Sequence, residues 1–100
     1  MGPEASFYYR VRPKLVAIPN SIWFPRAAFT TIDLIGSING KTVALEFKAT
    51  VKAKRSLRQK HMLDKVLKTG GYASFVYPEN WQEVFEDLKG LGVVNRESAI

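Results

Sequence analysis

One hundred residues, 46% of them hydrophobic and none a cysteine, make one domain that buries a core without disulfides and leaves no length for a second folded unit. With a single histidine, His61, thiolate and histidine-rich zinc sites are both excluded, so a bound metal would have oxygen ligands, as Mg²⁺ and Mn²⁺ prefer. The formal charge of +6 points to a polyanionic partner, and the lack of a membrane-length apolar run or a signal-peptide pattern predicts a soluble, cytoplasmic protein.

In chain order, Phe7, Tyr8 and Val11 at helical spacing predict a helix over residues 4–11, opened by Pro3 and ended by Pro13. Residues 15–18 read as a short apolar strand, and residues 21–28, with Ile22, Trp23, Phe24 and Pro25, as a loop. The aromatic residues of that loop beside Arg26 have two readings, a stacking surface for unpaired bases or core filling, and the second is favoured because nothing fixes the direction of the loop.

A β-hairpin follows, turning at Asn39-Gly40. A two-residue turn of type I′ pairs residues whose numbers sum to 79, which sets Asp33 opposite Glu46, Leu34 opposite Leu45 and Ile32 opposite Phe47. Leu34, Leu45, Ile32 and Phe47 then form an apolar face, while Asp33, Glu46 and, two residues on, Lys48 share the other. Facing side chains have Cβ atoms about 4.5–5.5 Å apart, where like charges repel unless something compensates, and a divalent cation is the natural compensation. Gly36 is the weak point of this register, since a strand glycine often marks a bulge.

Residues 41–68 hold nine of the fifteen basic residues against only Glu46 and Asp64, whereas the chain from Glu79 onward is predominantly acidic. A basic strip starting beside two acids suits a phosphodiester, the strip holding the polyanion and the acids a metal; a solvated helix face is the plainer reading of the charges alone. Within the strip Ser56 opens a helix ended by Gly70-Gly71, with Met62, Leu63, Val66 and Leu67 on its apolar side. Ser56 and Gln59 have the spacing of a capping box, yet Gln59 also lies on the face that packs against the sheet, at the end nearest the charged edge of the hairpin. His61 lies off that face. A strand over residues 72–77 comes next, then a helix over residues 80–88 capped by Asn80 with Glu83 as the reciprocal partner, and Gly90, Gly92 and the residues from Asn95 read as a fraying tail.

The order helix with an acid, strand, Ile32-Asp33, hairpin, Glu46-Phe47-Lys48, basic loop, helix bearing Gln59 and strand resembles the PD-(D/E)XK nuclease superfamily, and within it the VRR-NUC nucleases and Holliday junction resolvases. The stretches carrying the resemblance are residues 31–36, residues 43–50, Gln59 and residues 70–76, in a span from Glu4 to Leu88. Thr31-Ile32-Asp33 departs from the proline-aspartate of the superfamily name but keeps the acid. The resemblance implies a single restriction-endonuclease-like α/β (α+β) domain over residues 1–100, with a mixed central sheet flanked by helices, an αβββαβ core and a C-terminal helix. It further implies a Mg²⁺- or Mn²⁺-dependent DNA endonuclease selective for branched DNA, acting as a homodimer because paired cuts need two sites. Asp33, Glu46 and the Phe47 backbone carbonyl match the metal ligands, Lys48 the catalytic lysine and Gln59 a supporting glutamine, with Glu4 as a further acid from the first helix. Lys52, Lys54, Arg55, Arg58 and Arg26 are the candidate DNA-binding residues. The alternatives are a non-catalytic DNA-binding module and a nuclease subunit of a larger assembly.

Overall fold

In the computed structural model, which describes residues 2–25 and 32–93, the chain runs α1 (Pro3–Val16), β1 (Ser21–Pro25), β2 (Leu34–Ile38), β3 (Lys41–Phe47), α2 (Leu57–Lys68), β4 (Tyr72–Val76) and α3 (Trp81–Gly92). It is a small α+β domain: the four strands form one mixed sheet in the order β1-β2-β3-β4, antiparallel except where β4 lies parallel to β3. Among the described residues no helix is long and apolar enough to cross a membrane.

The turn dictates the hairpin. Asn39 and Gly40 both take positive φ, 50° and 81°, as a type I′ turn requires, and β2 pairs with β3 from Ile38↔Lys41 to Leu34↔Leu45 in the expected register. Gly36 faces Val43 without a bulge. It is glycine for another reason: a Cβ there would run into the Ile22 carbonyl and the Trp23 ring of β1.

The sheet is covered by helices on both faces, as expected. On one face α1 and α3 bury Phe7, Val11, Leu15, Trp81, Val84 and Leu88 against Leu34, Ile38, Val43, Leu45, Phe47 and Val76. On the other, α2 sets Leu63 against Ala44 and Ile32, with Met62, Val66, Ile35, Ala73 and Phe75 half-buried around them. Leu67 is exposed and plays no part in that contact.

Several sequence expectations are corrected here. Pro13 lies inside α1 and does not end it: Val11 and fully buried Leu15 keep the helix on the core, and the Ala17 N–H bonds back to the Pro13 carbonyl at 3.2 Å. Residues 15–18 are therefore the end of this helix and a turn, not a strand. The first strand is instead β1, where a loop was expected. Pro25 is its terminal residue on an edge strand, a position that tolerates a missing N–H, and Trp23 packs on the core while its indole donates to the Leu15 carbonyl at 3.2 Å. Ile32 does not share a face with Phe47. The chain bends at Asp33, which breaks the strand alternation and sends Ile32 to the α2 side. Asn80 precedes α3 without a side-chain cap, because its amide accepts from the Tyr77 N–H and donates to the Phe75 carbonyl. The helix also runs through Gly90 to Gly92, the latter pressed so close to Ile18 and Pro19 that a Cβ would collide. Asn95 and Arg26 lie outside the described residues.

Candidate functional site

Regular pairing of the hairpin stops one residue short of the acids. At the next step the Asp33 N–H donates to Glu46 Oε2 at 3.2 Å and Asp33 Oδ2 accepts from the Phe47 N–H at 3.0 Å, so each strand's carboxylate bonds to the other's backbone. The bend at Asp33 is what frees its main chain for this exchange. These two bonds hold both carboxyl groups at the end of the sheet where β3 terminates.

A third acid reaches the same place from α1. Phe7 and Tyr8 dock edge-on against Phe47, with ring centroids 5.7 and 5.0 Å apart, and this fixes the first turn of the helix, and with it Glu4, over the end of β3. One carboxylate oxygen from each of Glu4, Asp33 and Glu46 lies within 4.8 Å of the others. This acidic triad could hold a metal ion, and its donors are all hard oxygens. Phe47, whose carbonyl the resemblance adds to the ligands, lines the adjoining cavity together with Glu4 and Asp33.

Electrostatics single out Glu46. It is only 2% exposed, and its carboxyl is pushed up to about 8, first by burial and then by the bond and the negative charge of Asp33; the Asp33 N–H and the Lys48 charge act in the opposite sense but do not prevail. A positive charge brought close to Glu46 would favour its ionised form.

Lys48, the other buried charged residue, continues β3 past Phe47; its N–H bonds to the Val76 carbonyl at 2.8 Å and its Nζ donates to Gln59 Oε1 at 3.1 Å. The same Gln59 oxygen accepts from the Ser56 N–H at 3.4 Å, while Ser56 Oγ accepts from the Gln59 N–H at 3.0 Å. The capping box is formed, and the same Gln59 side chain accepts from the lysine.

Of the expected DNA-binding residues that the structure describes, Arg55 lies nearest this site, on the ring that Lys48 also approaches. Its guanidinium lies 4.7 Å from the Phe75 ring centroid and 5.7 Å from that of Tyr77, and Lys48 Nζ is 6.0 Å from the same Phe75 ring. Lys52, Lys54 and Arg58 are exposed. His61 is exposed as expected. Phe75 itself went unnoticed in the sequence: its role follows from the parallel pairing Glu46↔Phe75, and no turn announces a parallel register as Asn39-Gly40 announces the hairpin. Compared with protein-family models, with curated proteins and with solved structures, the chain gives no significant match.

Proposed function

We propose that this protein is a metal-dependent phosphodiester hydrolase, a DNA endonuclease selective for branched or otherwise irregular DNA. The observation that carries the reading is the convergence of Glu4, Asp33 and Glu46 within 4.8 Å beside a lysine that Gln59 holds by its Nζ. The donor set fits Mg²⁺ or Mn²⁺, with Asp33, Glu46 and Glu4 as the holding carboxylates. When bound, such a cation polarises a phosphodiester oxygen and makes water a stronger nucleophile at neutral pH.

The remaining work falls to the side chains of the chain itself. Lys48 orients the attacking water and stabilises negative charge on the phosphoryl oxygens while a bond forms from water oxygen to phosphorus and the bond to the leaving sugar oxygen breaks. Gln59 keeps the ammonium in place. Arg55, stacked on Phe75 and Tyr77, is preorganised to take a neighbouring phosphate through its planar fork. Lys52, Lys54 and Arg58 add affinity through phosphates without reading bases, so selection falls on DNA shape. Two copies of the chain would supply the two sites that paired cuts on a junction need.

The test is cleavage of labelled duplex, flap and four-way-junction DNA with Mg²⁺ and with EDTA. The expected result is Mg²⁺-dependent cutting that falls by at least about a hundred-fold in Asp33→Asn and in Lys48→Ala, the scale of losing one preorganised group at a reacting centre. Cutting in EDTA, or undiminished cutting by Asp33→Asn, would falsify the reading. Steeply salt-dependent binding with no cleavage of any substrate would identify a DNA-binding module instead.

A further inference from the structure

The acids do not stand alone at the end of β3. Glu4 and Asp33 form one wall of a cavity of about 320 Å³ that Gly2, Ala5, Tyr8, Tyr9 and Phe47 complete. This is within the size range of small-ligand pockets, roughly 300–1,000 Å³. Its aromatic wall is ordered as a relay. Phe47 is buried in the sheet, Tyr8 packs edge-on against it at 5.0 Å, and Tyr9 packs edge-on against Tyr8 at 5.1 Å. Tyr8 thereby belongs to the core, but Tyr9 is 56% exposed and contributes little to it. The same helix carries cations among these rings, with Arg10 5.4 Å from the Phe7 centroid and Arg12 5.9 Å from that of Tyr8. Tyr9 is the exposed ring of this series, and an exposed aromatic ring on a helix that also carries cations is a platform on which an unpaired base can stack.

We infer that this cavity receives one unpaired nucleobase, stacked against Tyr9, so that the substrate of the neighbouring acids is a single-stranded or splayed nucleic acid. The inference deepens the phosphodiesterase reading and rests on it for the chemistry, though not for the binding. A base inside a duplex is already stacked on both faces and paired on its edge, and entry into the cavity would first require extruding it at a cost of a few kcal/mol. An unpaired base enters without that cost. A base stacked there would anchor a nucleotide beside Glu4 and Asp33, which line the same cavity, and Arg10 and Arg12 add positive charge to the helix that carries Tyr9. Selection of branched over continuous duplex DNA would then arise here, because flaps and junctions offer unpaired bases next to a duplex.

The experiment measures binding, so it does not depend on cleavage. Fluorescence anisotropy of the full chain with a short single-stranded oligonucleotide and with a duplex of the same length, in Ca²⁺, is compared among the parent, Tyr9→Ala and Tyr9→Phe. A 2-aminopurine in the single strand reports stacking by its quenching. Tyr9→Ala is expected to weaken single-strand binding about ten-fold and abolish the quenching, with duplex binding changed by less than about two-fold, as loss of one base–aromatic stack requires. Tyr9→Phe keeps the ring and should retain both signals, which separates a lost stack from a misfolded helix. Equal weakening on single strand and duplex, an unchanged single-strand affinity in Tyr9→Ala, or no binding of single strands by the parent would overturn the inference. Cleavage that survives an inert Tyr9→Ala would sink the pocket and leave the hydrolase reading standing; a Tyr9 effect without any cleavage would do the reverse.

Discussion

The two faces of the sheet are built for different purposes. Under α1 and α3 thirteen buried apolar side chains of the described residues, from Phe7 to Leu88, form one cluster. Under α2, among the described residues, only Ile32, Ala44 and Leu63 are buried apolar side chains, and at the edge of that smaller cluster sit the buried charged residues Glu46 and Lys48. Burying charge costs stability unless it is paired and hydrogen-bonded. The large core supplies the stability that makes this tolerable, and the thinner one leaves room for Gln59 to reach Lys48 and for Arg55 to lie on Phe75. The buried charge thus lies on the α2 side of the strands, and Glu4 of α1 reaches the two acids over the end of β3.

Cavity-forming substitutions should break that comparison if it is wrong. Leu88→Ala removes a fully buried side chain from the large core and should cost about 3–4 kcal/mol, whereas Leu63→Ala, in a cluster whose half-buried neighbours can move in, should cost about 2 kcal/mol. Urea unfolding measures both. Equal losses would mean that the two faces contribute alike.

The charged edge should show itself next, as a pH dependence belonging to one face. In the folded protein Glu46 titrates near 8, against 4.5 for an ordinary glutamate, so between these values the folded state keeps a proton that the unfolded state has released. The stability contributed by this group is therefore full below pH 4.5 and is lost as pH rises through 8. A cation favours the ionised form, so Mg²⁺ should raise the melting temperature more at about pH 8 than at about pH 6. Glu46→Gln should flatten the slope in EDTA and abolish the Mg²⁺ effect, while Leu88→Ala keeps both on a lower baseline. Thermal melts across this range decide it; a slope that survives Glu46→Gln would assign it elsewhere.

What the sequence disclosed of this arrangement was whatever rests on local rules. Asn39-Gly40 forces positive φ at two consecutive residues, and that alone gives the register from Ile38↔Lys41 to the Asp33 and Glu46 exchange. The Ser56 and Gln59 box is equally local. Hidden were the features that tertiary packing decides. Pro13 reads as a stop, yet the helix passes through it because Leu15 is worth burying. Pro25 reads as a loop residue, yet an edge strand accommodates it at its end. The bend at Asp33 defeats the period of two that would have set Ile32 beside Phe47, and the same bend is what lets the acids bond across the hairpin.

Gln59 joins the two kinds of information, and its variants should have the smallest effect on stability with a clear effect on chemistry. Gln59→Ala removes the reciprocal half of the capping box but leaves Ser56 Oγ accepting from the residue 59 N–H, so it should cost only about 0.5 kcal/mol. It also takes away the acceptor that holds Lys48 Nζ at 3.1 Å, and cleavage should fall about 10- to 100-fold, as for other groups that position a functional side chain. Gln59→Glu distinguishes what the lysine does. It preserves both acceptor roles but adds a negative charge beside Nζ, which favours the ammonium. If Lys48 acts by its positive charge, Gln59→Glu should cleave nearly as well as the parent at every pH. If Lys48 must give up its proton to activate water, the rate should drop near neutrality and recover as pH rises, and the pH–rate profile of this one variant separates the two.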